Sequence, residues 1–236
     1  RCAPTPPRHT TGRHPPICGT GRTYTHRVPE GVDGRRLRGD RTRRRAARAA
    51  ADLATLDGFD AVSIARVAQS TGSSASGILT VFDNRESVHL AAVAYAREQF
   101  VAEVITPAWV RRPGVPRLSQ IIDNWFAYVA NRRVTGGCFM IAATMDLGVK
   151  QGPVADAVRE MRSQWLTLIE GELRVDRQPS KAADDVVAAT VFRLDAYLVA
   201  ADLRLRSTGD ARSLATGQRA CRRLLADVER DGPPPR

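Results

Sequence analysis

Hydrophobic residues recur at helical spacing from residue 40 almost to the end of the chain, with little of the alternation that is typical of strands. A first helix is predicted from Asp40, a good N-cap, to about Asp57, with Gly58 as the glycine that ends it. Ser63 is predicted to cap a second, short helix, which carries apolar residues at i, i+3 and i+4. The pattern therefore predicts an all-α protein.

A three-residue turn centred on Gly72 interrupts the pattern after this second helix. Ser74 can cap a third helix, in which Ile78, Leu79 and Phe82 are predicted to face the core. Helix, glycine turn and helix form the geometry of a helix-turn-helix motif, whose second helix enters the DNA major groove. The same spacing also fits an ordinary helical hairpin, so the pattern alone leaves both interpretations open.

Helical periodicity continues through the rest of the chain. A fourth helix is predicted from Asp83 or Asn84 to about Ile105, with a solvated His89 on it. After a boundary rich in proline and glycine at 107–116, the pattern predicts further helices, the longest at about 181–207 and the last at about 210–230. The longest helix has a second apolar face that is free to meet a partner. The predicted dimer interface consists of Phe192, Ala196, Val199, Leu203 and, on the last helix, Leu224.

Charge changes this picture mainly at the N-terminus. The chain has 236 residues and a net charge of +11, of which residues 1–45 hold +9, with twelve arginines against three acids. Such asymmetry indicates a polyanionic partner, either nucleic acid or acidic lipid. Residues 1–39 have no apolar period and are predicted to be a disordered basic arm, and residues 231–236 a tail.

Composition excludes several classes of protein. The four cysteines form no C-x-x-C pair, which fits a reducing cytoplasm, and Cys2, Cys18, His9 and His14 match no structural zinc pattern. No metal or other cofactor is therefore predicted. No run of about 18 apolar residues and no secretory signal occurs, so no membrane partner is expected. No nucleophile–base pair or phosphate loop stands out, so the chain is not expected to be an enzyme.

Two groups of motifs resemble a known family. Gly58-Phe59-Asp60-Ala61-Val62-Ser63-Ile64, followed by Gly72, Phe82 and Arg85, resembles the N-terminal domain of the tetracycline-repressor (TetR/AcrR) family. Gly136-Gly137-Cys138-Phe139 and Gly152-Pro153-Val154 resemble a C-terminal regulatory domain found in many members. The resemblance covers about residues 40–230.

The resemblance implies a fold and a function. The expected fold is all-helical, with a three-helix helix-turn-helix domain at 40–84 and a ligand-binding and dimerising bundle at 85–230. The expected protein is a homodimeric repressor that binds double-stranded DNA at a palindromic operator and is released by a small-molecule effector. Its expected location is the bacterial cytoplasm, on the nucleoid.

The third helix departs from the family pattern, which usually reads close to Val-Ser-Lys-Gly-Thr-Leu-Tyr-His-His-Phe. Ala75 stands where a lysine often meets a phosphate, and Leu79 where a tyrosine often does. Losing two phosphate partners weakens the sequence-independent part of DNA binding. Three explanations remain: an unusual operator, compensation by the arginine-rich arm, or loss of DNA binding.

The candidate DNA contacts lie on the first three predicted helices and at the start of the fourth. Ser76 and Thr80 are expected to reach base edges or phosphates, and Arg85 to hold a phosphate. The full set is Arg43, Arg44, Ser63, Ser73, Ser74, Ala75, Ser76, Thr80 and Arg85.

The candidate effector pocket collects large side chains of the C-terminal half. Its predicted members are Trp125, Tyr128, Phe139, Met140, Met145, Asp146 and Trp165. The alternative is that these residues are plain core. Because a buried acid is costly unless it is paired, Asp146 and Asp195 should each lie near an arginine or a solvent-filled cavity.

Two rival functions stay open at this point. The chain could be a dimeric interaction protein whose DNA-binding domain has decayed. It could also be a basic protein that adsorbs to anionic lipid through its N-terminal arm.

Overall fold

The computed structural model describes residues 34–131, 136–175 and 177–230. Within these ranges all regular structure is helical, as the sequence predicts, and no strand occurs. The α-helices are α1 (Gly34–Asp57), α2 (Ile64–Thr71), α3 (Ala75–Leu79), α4 (Arg85–Phe100), α5 (Val115–Ala130), α6 (Phe139–Leu147), α7 (Pro153–Arg174), α8 (Lys181–Thr208) and α9 (Arg212–Arg230). Short 3₁₀ or π-helical segments occupy Phe59–Ala61, Val101–Ile105 and Thr106–Val110.

Helix α1 begins six residues before the predicted start. Asp40 therefore lies inside the helix and does not cap it, and residues 34–39 are helical, which corrects this part of the predicted disordered arm. The physical reason is that arginine and leucine, which fill this stretch, are good helix formers. The predictions for residues 1–33 and for the tail at 231–236 lie outside the described residues.

The first three helices and α4 form one small core. Alanines on α1, among them the fully buried Ala46 and Ala50, let α4 lie close along α1. Phe59, Ile78 and Phe82 fill the space between α1, α2 and α3. The core face of α1 therefore consists mainly of alanine, because α4 lies so close that methyl groups fill the space between the two helices.

His89 is half-buried and packed against its neighbours, where the sequence predicted a solvated side chain. Its Nε2 atom lies 2.9 Å from the Val62 carbonyl oxygen, and its ring meets the edge of Phe59 at a centroid distance of 5.3 Å. Burial lowers the pKa of His89 below 6.5, against the opposing effect of the Val62 carbonyl. The histidine is thus part of the contact between α4 and the segment that follows α1.

The C-terminal half is a bundle of α5–α9. Helical spacing of apolar residues predicts a core-facing stripe on α5, and the structure buries all of it: Leu118, Ile121, Ile122, Trp125, Phe126 and Val129. Helix α9 packs against both α5 and α8. Asp195 on α8 pairs with Arg162 on α7, which confirms the expectation of an arginine partner. Helix α6 is buried along most of its length between the two halves of the molecule, so it is positioned to connect them.

Candidate DNA-binding site and its link to the regulatory domain

Two serine caps and one glycine shape the α2–α3 unit. The Ser63 hydroxyl accepts from the Arg66 N–H at 3.2 Å, and the Ser74 hydroxyl accepts from the Gly77 N–H at 3.0 Å. Gly72 ends α2 with φ +62°, a left-handed conformation that glycine adopts without steric cost. The predicted caps and turn are confirmed, and they set α3 across α2 as in a helix-turn-helix motif.

Helix α3 presents one face to solvent and one to the core. Ile78 and Phe82 are buried, whereas Leu79 is 52% exposed, so its predicted core position is wrong. The helix is too short and too tightly held by Ile78 and Phe82 to bury an adjacent residue as well. The exposed side chains of this segment are Ser74, Ala75, Ser76, Leu79 and Thr80, with Ser73 half-buried beside them.

Arginines of α1 fasten this unit. Arg43 donates from Nη1 to the Val81 carbonyl at 2.6 Å, and its guanidinium lies 4.6 Å from the centre of the Phe82 ring. Arg45, which the sequence reasoning did not single out, donates from Nη2 to the Thr71 carbonyl at 2.7 Å. Arg44 pairs with Glu98 on α4 at 2.8 Å, where both side chains are exposed. Arg43 therefore lies beside the end of α3, and Arg44 lies away from it on the α4 side.

Arg85 has a structural role that the sequence did not reveal. Its guanidinium donates to the carbonyls of Val62 (2.8 Å), Phe59 (3.1 Å) and Asp60 (2.7 Å), which uses Nε and Nη2. These bonds fix the segment between α1 and α2 to the start of α4. Most of the donor capacity of Arg85 thus serves the protein itself, and its contact with a phosphate stays a prediction.

The electrostatics of α1 favour a polyanion. The helix carries eight arginines and three aspartates, a net charge of +5 in 24 residues. Arg36, Arg38 and Arg41 in its first half are exposed. A cationic helix beside an outward-facing α3 is the arrangement in which phosphate contacts position a reading helix.

Asp146 connects the two halves of the molecule. This residue, predicted to line an effector pocket, accepts from the Phe59 N–H at 2.7 Å and pairs with Lys150 at 3.0 Å. Lys150 also pairs with Asp60 at 3.3 Å. Partial burial raises the pKa of Asp146, but the Phe59 hydrogen bond and the Lys150 ammonium outweigh it and lower the pKa below 3.8. The carboxylate therefore holds the DNA-binding half to α6. It also lines a surface groove beside Met145, so its place in an effector pocket stays a prediction.

A second connection runs through the buried Asp202 on α8. Asp202 accepts from the Cys138 N–H, at the start of α6, at 2.8 Å. Arg206, one turn further along α8, donates to the Thr55 carbonyl on α1 at 3.0 Å. Burial raises the pKa of Asp202 to about 6, although the Cys138 N–H and Arg206 act in the opposite direction. Sequence reasoning missed this pair because its partners are 64 and 151 residues away in the chain.

The raised pKa of Asp202 predicts a pH-dependent stability. A carboxyl whose pKa is about 6 when folded and 3.8 when unfolded stabilises the fold fully only below pH 3.8, and the contribution is lost as pH rises through 6. Asp202→Asn keeps the acceptor for Cys138 without ionising. We expect it to gain about 1–2 kcal/mol in the free energy of unfolding at pH 7.5 relative to pH 4.5, compared with the native protein, in urea titrations at both pH values. The opposite result is that Asp202→Asn stabilises the protein less at pH 7.5 than at pH 4.5. It would show that Arg206 holds the carboxylate in its ionised form.

The large side chains assigned to an effector pocket are mostly core. Trp125, Tyr128, Phe139, Met140 and Trp165 are all buried. Two of these aromatic rings pack edge-to-face against Phe100, at centroid distances of 5.3 Å for Trp165 and 5.9 Å for Tyr128. Met145 differs: it is half-exposed and lines a surface groove of about 550 Å³ together with Leu56 and Leu203. Met145 is therefore not part of the aromatic cluster.

The predicted dimer residues divide into two groups. Phe192 is 75% exposed, and Ala196 and Leu203 on the same face of α8 are also exposed. Val199 and Leu224 are half-buried and pack against the core of their own chain. The exposed face of α8 is thus narrower than the sequence predicts, and it is centred on Phe192.

The described ranges contain neither a metal-binding cluster nor a membrane-spanning helix. No group of three or more His, Cys, Asp or Glu side chains is placed to hold a metal ion there, and the four N-terminal candidates lie outside those ranges. Every helix described is too short or too polar to cross a membrane.

Fold and site together define a helix-turn-helix protein with a helical regulatory domain. Residues 114–221 match the family model of the tetracyclin repressor-like C-terminal domain. The chain is similar to a TetR transcriptional regulator from Chloroflexus aurantiacus J-10-FL, with 20% identity, coverage of 83% of this chain and 98% of that chain, and a TM-score of 0.65. A TetR-family regulator from Agrobacterium tumefaciens gives 17% identity, coverage of 83% and 100%, and a TM-score of 0.65.

A third solved structure, of AibR in complex with isovaleryl coenzyme A and operator DNA, gives 14% identity, coverage of 75% and 95%, and a TM-score of 0.58. No curated protein sequence matches the chain. The C-terminal part of the chain thus matches a tetracyclin repressor-like domain, and the chain shares the fold of solved TetR-family regulators.

Proposed function

We propose that this protein is a homodimeric repressor that binds a palindromic operator through α2 and α3 and leaves it when a small molecule binds the regulatory domain. The observation that carries the proposal is the outward-facing α3, capped by Ser74, set by Gly72 and flanked by the cationic helix α1. A short helix held this firmly with its outer face free suits entry into a major groove.

The link between the domains supports release by a ligand. Asp146 and Arg206 fasten the regulatory half to the backbone of Phe59 and Thr55, on the DNA-binding half. A ligand that enters between the aromatic side chains around Trp165 must displace them, and α6 and α7 with them, because closely packed interiors do not deform without shifting neighbours. AibR, a structure of similar fold, was solved with isovaleryl coenzyme A and operator DNA, which supports a ligand-responsive role.

A homodimer is proposed from the exposed face of α8. Phe192, Ala196 and Leu203 form an apolar stripe that the described residues leave exposed. Two-fold symmetry in the protein would present two copies of α3 to two half-sites of a palindrome.

Replacing the polar readers tests the proposal. Ser76→Ala with Thr80→Ala should lower affinity for the operator at least tenfold in gel retardation at physiological salt, while the free energy of unfolding changes by about 0.5 kcal/mol or less. The DNA upstream of the protein's own gene is the first probe. Ser207→Ala with Thr216→Ala, a matched pair of exposed residues in the regulatory half, should leave binding unchanged.

The rival functions give different results in the same experiment. A decayed DNA-binding domain would show no retardation of any DNA by the native chain. A lipid-adsorbing protein would bind vesicles that contain anionic phospholipid and would show no preference among DNA sequences. Unchanged operator binding by the Ser76/Thr80 variant would mean that these two side chains do not read the DNA.

A further inference from the structure

The outer face of α3 has an unusual chemistry for a reading helix. Between Gly72 and Asp83 the sequence contains no Arg, Lys, Asn or Gln. These are the side chains that make bidentate contacts to guanine and adenine in the major groove, which are the strongest discriminators among bases. The residues that do face solvent on α3 are small, or carry a hydroxyl or an isobutyl group.

The hydroxyl groups on this face are largely committed to the helix itself. Thr80 donates its only hydroxyl hydrogen to the Gly77 carbonyl at 2.7 Å. Ser74 and Ser76 share a hydrogen bond at 3.0 Å, and Ser74 also accepts from the Gly77 N–H. Each hydroxyl has a single hydrogen, so Ser74 and Ser76 retain one free hydroxyl hydrogen between them, and the half-buried Ser73 adds its own. Donor-based reading of a base sequence is therefore weak here.

Apolar groups dominate what remains. Ala75 and Leu79 stand four residues apart, so they lie on one side of the helix, and Leu79 keeps half of its surface in solvent. The Thr80 side chain adds a methyl group next to Leu79. In the major groove, one base carries an apolar marker, the C5-methyl group of thymine, and alanine, threonine and similar side chains recognise it by contact.

We propose that Leu79, with Ala75 and the Thr80 methyl group, selects the operator by packing against thymine methyl groups. The inference rests on the proposed function and names the feature of the DNA that α3 recognises. It assigns a role to Leu79, which contributes less hydrophobic stabilisation to the free protein than a buried leucine would. It also accounts for the absence of tyrosine and lysine on α3, since an isobutyl group in that place reads bases instead of phosphates.

The test uses DNA in which single thymidines of the bound site are replaced by deoxyuridine, which removes only the methyl group. Burial of one methyl group is worth about a fourfold change in affinity, so replacement at the contacted position in both half-sites should weaken binding by about 15-fold. Gel retardation at physiological salt with the native full-length chain measures this loss.

A double-substitution cycle assigns the effect to Leu79. In the Leu79→Ala protein the deoxyuridine penalty should shrink to twofold or less, because the side chain that covers the methyl group is gone. Leu56→Ala is the matched control, since Leu56 is equally exposed, at 52%, and lies at the end of α1. This variant should keep the full 15-fold penalty.

Two outcomes would overturn the inference, and only one of them would also overturn the proposed function. If the native protein binds its thymidine operator specifically and deoxyuridine at every position changes affinity by less than twofold, methyl recognition is wrong and the proposed function stands. If no DNA sequence is bound specifically, the proposed function fails and the inference fails with it.

Discussion

Phe192→Glu is expected to turn the protein into a monomer and to weaken operator binding by at least a hundredfold. Phe192 is 75% exposed in a single chain, on the face of α8 that also carries Ala196 and Leu203. Covering one phenylalanine contributes about 1.5–3 kcal/mol, and a two-fold interface uses each such residue twice. A glutamate at this position removes both contributions and places two unpaired carboxylates in the interface.

The loss of DNA affinity follows from the loss of the dimer. A dimer holds its second α3 near the second half-site, so that site is bound at a high effective concentration, an advantage of about 10²–10⁴. Analytical ultracentrifugation and gel retardation measure the two effects on the same sample. Val110→Glu, which introduces the same side chain at an 86% exposed valine outside α8, should stay dimeric and bind normally.

Phe192 is a better probe of this interface than Val199. Val199 packs partly against its own chain, so a charge there would also destabilise the fold. A Phe192→Glu protein that sediments as a dimer at micromolar concentration would place the interface elsewhere on the surface.

Gly137→Ala is expected to lower the free energy of unfolding by about 2–6 kcal/mol, because the new methyl group would disturb the junction between the domains. Gly137 has φ +101°, and a Cβ atom there would lie 2.6 Å from Asp202 Oδ1 and 3.1 Å from Arg206 Cδ. The conformation alone costs about 1–3 kcal/mol for an alanine. Moving Asp202 away would break its bond to the Cys138 N–H and leave that buried group unsatisfied, a further cost of about 1–3 kcal/mol.

Gly152→Ala separates the two contributions to this cost. Gly152 has a similar φ, +112°, and also precedes a helix, but a Cβ atom there meets nothing within 4 Å. It should therefore lose only the conformational part, about 1–3 kcal/mol, in urea unfolding. Equal losses for the two variants would mean that Asp202 moves aside freely and does not fasten α6 to α8.

Much of the fold could be predicted from local signals in the sequence. The caps at Ser63 and Ser74 and the turn at Gly72 depend on contacts within three residues, which a pattern of residue types can show. The α5 stripe and the bounds of α8 follow from helical periodicity in the same way. The start of α1 was missed because a run of arginine resembles a disordered tail in composition while favouring a helix in propensity.

The site was harder to predict, because its contacts join distant segments. Nothing near Arg85 in the sequence shows that its guanidinium meets carbonyls 23–26 residues earlier. The same holds for Asp146 and the Phe59 N–H, 87 residues apart. Leu79 was misplaced because an apolar residue is expected in the core, and only the packing of its neighbours Ile78 and Phe82 decides otherwise.

One measurement tests the central claim, that α3 of a dimer reads a palindromic DNA site. The full-length chain, at physiological salt, is used to select bound sequences from a pool of random double-stranded DNA. We expect enrichment of an inverted repeat whose half-sites lie one helical turn or a multiple of it apart and contain thymine. Enrichment of no sequence above the starting pool would contradict it.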